Sequence, residues 1–185
     1  MMVDHDGQQA NDPVSGNGFS HCVLGESSQT LPLESWADNR AAALSLVGQA
    51  RRTLDIFTFD LEPSVYDHPP LLDAIRALAL RSRHSRVRVL VKDSRRAVKD
   101  GHRLVDLARN LSTFIQIRKA HDDVRDFAEA FLIADAVGTL HRTLATRYEG
   151  SARFRAGLHA RQLTQWFNEV WERSVPDPEL RRLHL

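Results

Sequence analysis

Hydrophobic and polar positions along the chain switch between two periods, and the switches mark out the elements. Ser35, with Asp38 three residues on, forms a capping box, and Ala43, Leu44, Val47 and Ala50 behind it give the apolar stripe of a first helix. "TLDIFTFDL" (53–61) carries Leu54, Ile56, Phe57 and Phe59, the β-branched and aromatic mix of a strand. Pro69 and Pro70 suit the first turn of a second helix, striped by Leu71, Leu72, Ile75, Leu78 and Ala79. "RVRVLVKD" (86–93) alternates Arg with Val before turning fully apolar, and reads as a strand. Asp100 and Gly101 precede a helix bearing Leu104, Leu107, Ala108 and Leu111, after which "TFIQIRKA" (113–120) returns to period two. "FAEAFLIAD" (127–135) reads as a buried strand ending on a carboxylate, and "GTLHRTLA" (138–145) follows the turn-like "AVG". A last helix is expected over 156–173, burying Leu163, Trp166, Phe167 and Val170 and leaving Trp171 at an edge.

The order α-β-α-β-α-β-β-β-α predicts parallel neighbours among the helix-separated strands, and a short turn between the late strands predicts an antiparallel hairpin. The expected fold is therefore α/β, a mixed, mostly parallel sheet flanked by helices. Residues 1–31, rich in Gly, Asp, Asn, Gln and Ser without an apolar period, read as a disordered leader. Residues 32–175 read as the single domain and 176–185 as a tail.

Composition changes this picture little. At 185 residues, with 42% hydrophobic and 26% charged positions, the chain has the make-up of one globular domain. No apolar run approaches the ~20 residues of a membrane span, and no basic flank precedes an apolar core, so a cytoplasmic location is expected. Cys22 is the single cysteine, which leaves no internal disulfide and no multi-cysteine zinc site. No cofactor is expected. With a net charge of +1 there is no global pull on nucleic acid, and none is expected as a partner. The basic run "RSRHSRVR" (81–88) lacks interleaved aromatics and suits a helix carboxyl end.

The segments "AAALSLVGQARRTLDIFTFDL", "LLDAIRALALRSRHSRVRVLVKD" and "HRLVDLARNLSTFIQIRK", followed by "FAEAFLIAD", resemble one half of the phospholipase D superfamily. The resemblance implies a phospholipase D-like half-domain. It also implies an H-x-K-x4-D signature on the strand, in which the histidine attacks phosphorus and the lysine holds phosphate oxygens. Aligned on Asp135, those two positions are Ala128 and Ala130, and only the carboxylate of the motif remains. The G-S-x-N stretch that follows in the family would fall near Arg142, Thr143, Leu144 and Ala145 and is not recognisable. An alanine methyl supplies neither nucleophile nor cation. The expectation is thus a non-catalytic binding or regulatory module for a phosphate-containing or other anionic ligand. A half-domain further implies a homodimer or a protein partner.

Two sets of residues are candidates for a site. Arg142, Thr143, Arg147, Tyr148 and Glu149 combine cations with an aromatic wall, and paired guanidinium forks suit an anion; the same stretch also reads as a surface loop with an Arg–Glu pair. Asp60, Asp93 and Arg95, beside Glu62 and Arg96, stand at strand carboxyl ends, where α/β folds place ligands. Joined by Asp135, the first two would make a relocated, metal-dependent phosphodiesterase or nuclease site; alternatively they are helix caps. A nucleic-acid-binding module inherited from the family is the third reading.

Overall fold

The computed structural model describes residues 18–181; the part of the expected leader before Gly18 and of the tail after Arg181 lies outside the described residues. Along the chain follow β1 (Thr30–Leu33), α1 (Trp36–Gln49), β2 (Thr53–Thr58), α2 (Pro63–Tyr66), α3 (Pro69–Leu80), β3 (Arg86–Val91), α4 (Arg95–Asp100) and α5 (Arg103–Asn110). Then come β4 (Ile115–Lys119), β5 (Ala130–Ala134), β6 (Gly138–Arg142), β7 (Gly150–Arg153), α6 (Leu158–Arg173), β8 (Val175–Pro176) and α7 (Pro178–Arg181).

The described strands form one sheet in the order β1-β7-β6-β5-β2-β3-β4-β8. β2, β3 and β4 are parallel neighbours, as their intervening helices require. The other five pairings are antiparallel. The sheet is mixed as expected, but its parallel share is confined to these three strands. One reason is that β1, β7 and β8 are segments of only two to four residues, too short to leave a period in the sequence.

Local chemistry sets the helix starts. The Ser35 hydroxyl accepts from the Asp38 amide at 3.1 Å and the Asp38 carboxylate accepts from the Ser35 amide at 3.0 Å, closing the capping box. Pro69 opens α3, where its missing N–H costs nothing. Gly101 ends α4 at a φ of 70°, a left-handed position that glycine takes without strain.

Strand alternation divides the interior in two. Leu54, Ile56, Val87, Val89, Leu132 and Leu140 face α1, α3 and α5, whereas Phe57, Leu90, Phe131 and Ile133 face α6. Asp55 and Arg88, paired in register on adjacent strands, form a buried two-pronged ion pair at 2.7 and 2.9 Å beneath α6. Trp171 is not at an edge: it is buried, stacks on Phe167 at 5.8 Å and takes the Arg118 guanidinium at 4.2 Å. It lies four residues after Phe167 and so shares its helix face.

The described part of the expected leader is folded. Phe19 and Cys22 are buried in the α1 side of the core, and Gln49 clips the segment by accepting from the Leu24 amide and donating to the Cys22 carbonyl. The expected tail is likewise built in: β8 pairs with β4, Leu180 is buried, and Ser94 donates to Asp177. Both segments are polar in sequence because one face of each remains in water. Among the described residues no helix is long and apolar enough to cross a membrane.

Candidate functional site

β2 ends at Thr58, and the chain then turns sharply through Leu61 and Glu62, both at positive φ (65° and 20°). Such backbone in non-glycine residues costs of order 1–3 kcal/mol and persists where surroundings impose it. Here the Asp60 carboxylate accepts from the Glu62 amide at 3.1 Å, and the Leu61 carbonyl accepts from His102 at 3.0 Å. The turn aims Glu62 across the sheet at Arg142.

Arg142 ends β6 in phase with buried Leu140, and it is only 1% exposed. It ion-pairs with Glu62, donates to the Arg147 carbonyl at 3.1 Å, and has its guanidinium 5.9 Å from the Tyr148 ring centre. Burial opposes its charge, but the hydrogen bond and charge of Glu62 outweigh that and hold its pKa above the usual arginine value. Burial likewise pushes the neighbouring Tyr66 phenol well up, helped by Glu62 and opposed by Arg142. Gly150 has to be a glycine. A Cβ there would meet the Arg142 Cγ at 2.7 Å and the His141 carbonyl closer still.

An open cleft of about 500 Å³ lies over this pair, lined by Asp60, Glu62, Ser64, Arg96, Thr146 and Tyr148 among others. The Ser64 and Tyr148 hydroxyls are 3.1 Å apart. Arg96 donates to Asp60 at 3.0 Å. The walls are pinned from α1, since Asn39 donates to the Tyr148 carbonyl and Arg40 to the Ser64 carbonyl, both at 2.8 Å.

The sequence candidates distribute unevenly around this cleft. Tyr148 and Asp60 line it; Arg147, Thr143 and Glu149 are exposed on the adjoining loop. The fork expected of Arg142 is engaged inside the protein instead of facing a ligand. Asp93 pairs with the exposed Arg95 at 2.5 Å, and that hydrogen bond holds its pKa at about 2. Ala130 is buried directly opposite Arg142, while Ala128 is exposed and its carbonyl accepts from the Ala145 amide at 2.7 Å.

Asp135 corrects the idea of a relocated carboxylate centre. β5 runs antiparallel to β2, so its carboxyl end lies at the amino end of β2, on the edge of the sheet opposite Asp60 and Asp93. There, at a φ of 53°, its carboxylate accepts from the amides of Arg51, Arg52 and Thr53 at 2.7, 2.8 and 2.8 Å. The three carboxylates do not converge. Among the described residues no group of three His, Cys, Asp or Glu side chains is arranged to hold a metal.

Sequence reasoning passed over Ser64, Tyr66 and the partnership of Glu62 with Arg142. The phase of Arg142 with Leu140 was the available signal for its burial. It also passed over a pair on the other face, where His141 meets Glu129 at 2.6 Å with the His159 ring 5.0 Å away.

Residues 35–183 match the model of a family described as "Domain of unknown function (DUF7931)". No curated protein matches the chain. Among solved structures it is similar to TrmBL2, an archaeal chromatin protein whose structure shows a novel mode of DNA binding (13% identity, TM-score 0.59). That likeness covers 81% of this chain, which spans about half, 54%, of TrmBL2. Nuc from Salmonella typhimurium, a phospholipase D family member, is similar at 12% identity and a TM-score of 0.57, over 80% of this chain and 97% of its own. NucT from Helicobacter pylori is similar at 11% identity and 0.56, over 80% and 99%. At these identities the likeness establishes the fold, an α/β sandwich of the phospholipase D type.

Proposed function

The chain belongs to the DUF7931 family, and we propose that it is a non-catalytic binding module built on a phospholipase D-like fold. In this reading Ala128 and Ala130 hold the positions of the family's nucleophilic histidine and phosphate-holding lysine. One observation carries the proposal: the space beside Ala130 is taken by Arg142, buried and neutralised by Glu62. Phosphoryl transfer needs a nucleophile in line with the leaving oxygen and cations facing the equatorial oxygens. A closed internal ion pair offers neither.

The ligand we assign to the cleft is a small phosphate-containing or other anionic molecule. Arg96 and the exposed Arg147 supply cations near the opening, and the Ser64, Thr146 and Tyr148 hydroxyls supply donors. Phe59, which lines the cleft, and Leu144 are each 44% exposed, and the Ala145 amide next to Leu144 donates to the carbonyl of the exposed Ala128. This small apolar face suits a second copy of the chain or another protein.

The test has two parts. Purified protein is expected to leave bis-p-nitrophenyl phosphate unhydrolysed, and turnover lost on His141→Ala or Asp135→Ala would defeat the non-catalytic reading. Calorimetric titration with inorganic phosphate and a nucleoside monophosphate is expected to show binding that Arg96→Glu with Arg147→Glu removes. Binding that ignores that charge reversal would place the ligand elsewhere.

A further inference from the structure

The edge of the sheet opposite the cleft carries a cluster of exposed arginines. The Arg86 amide donates to the Arg52 carbonyl at 2.9 Å, which sets the loop before β2 against the loop before β3. Residues 53–80 separate these loops along the chain, yet the parallel register Thr53↔Arg86 starts their strands side by side. Arg51, Arg52, Arg81, Arg83 and Arg86 are all exposed there, with His84 among them. Arg51, Arg52, Arg81, Ser82 and His84 line an open cleft of about 570 Å³.

None of these five arginines forms an ion pair among the described residues. The nearby Asp135 carboxylate is spent on the backbone amides of Arg51, Arg52 and Thr53. The carboxyl ends of α1 and α3 both point here, and each contributes roughly half a negative charge. Those two ends, Asp135, and Glu26, which lines an adjoining cleft with Arg51 and Arg81, together offset about three of the five positive charges, leaving an excess of about two. Complementing helix dipoles therefore does not account for the cluster.

We infer that this arginine edge holds the sugar–phosphate backbone of duplex DNA without reading its sequence. Exposed guanidinium forks match phosphate oxygens, and a repeating polyanion can engage cations spread over two loops, releasing counterions as it does so. The only ring lining the cleft is that of His84. Single-strand binders rely on aromatic platforms for stacking, so the duplex is the preferred form. This surface is independent of the ligand assigned to the opposite cleft.

Fluorescence anisotropy with a labelled duplex, titrated between 50 and 200 mM salt, tests the inference. The plot of log K against log salt is expected to fall with a slope of about −3 to −4, roughly −0.9 per phosphate contacted. Arg51→Ala with Arg81→Ala is expected to make that slope shallower by about 2 while leaving the melting temperature unchanged. Arg155→Ala with Arg161→Ala, exposed and of equal net charge change, is expected to leave it as it was. Equal loss in both pairs would reduce the effect to net charge and overturn the inference. Absence of duplex binding at 50 mM salt, tighter binding of the matching single strand, or preference for vesicles of anionic lipid over the duplex would overturn it too.

Discussion

Ala130 and Arg142 stand directly opposite each other across the β5–β6 ladder, a buried methyl against the largest side chain fully enclosed among the described residues. Side chains directly opposite in an antiparallel pair lie on the same face, so the two positions share one volume. What either can be depends on the other.

Replacing Ala130 with lysine places a second cation beside a buried guanidinium and overfills the site. The expected cost is about 3–5 kcal/mol in urea unfolding, the scale of an uncompensated buried charge. Ala128→His, at an exposed position, is expected to stay within about 0.5 kcal/mol. The double variant, which installs the histidine and lysine that the proposed alignment calls for, is expected to gain no hydrolysis of bis-p-nitrophenyl phosphate.

Arg142→Ala leaves Glu62, whose side chain is only 12% exposed, largely enclosed without its partner. Destabilisation of about 3–5 kcal/mol is expected. Glu62→Gln with Arg142→Met removes both charges together and is expected to recover most of that loss. A double-mutant cycle measures it, with a coupling energy above about 1 kcal/mol expected for groups in contact.

Asp135→Ala deletes the acceptor for three amides and is expected to cost about 2–3 kcal/mol, as hydrogen bonds to a charged group do. Asp135→Asn is expected to cost less, because asparagine keeps an acceptor and tolerates positive φ. Since Asp135 is remote from Arg142, the two losses are expected to add within about 0.5 kcal/mol.

Stability is expected to fall as pH drops below about 6.5, the ordinary histidine value. His102 accepts from the Leu104 amide at its Nδ1 and therefore donates from Nε2 to the Leu61 carbonyl, which requires the neutral ring. Burial lowers its pKa, and burial lowers those of His68 and His159 as well. The unfolded chain thus binds more protons in this window, so the contribution is complete above the unfolded pKa and is lost on acidification. Thermal melts between pH 7 and 5 check the slope, and His102→Asn, which retains a capping oxygen, is expected to flatten it.

The strongly patterned elements were legible in the sequence. The stripes of α1 and α3, the apolar runs of β2 and β3 and the β5–β6 hairpin all carry a local period. Short edge strands were not, because the pairing of β1 with β7 or of β8 with β4 depends on partners far away in the chain. The candidate site was half legible. Asp60 and Tyr148 are where strand ends and loops place ligand-facing groups. Arg142 looked like a surface cation, as an arginine in a polar stretch ordinarily is, until Glu62 supplied a charge to bury with it. The gathering of Arg51 and Arg52 with Arg81 and Arg86 follows from parallel strand pairing, which no single segment encodes.

The reversed direction of β5 within the sheet has a geometric outcome. Its first residues adjoin the cleft and the residue after its last fastens the arginine edge, and five residues of strand extend about 17 Å. Occupants of the two surfaces would therefore sit back to back, neither shading the other, with one taut hydrogen-bonded rod connecting them.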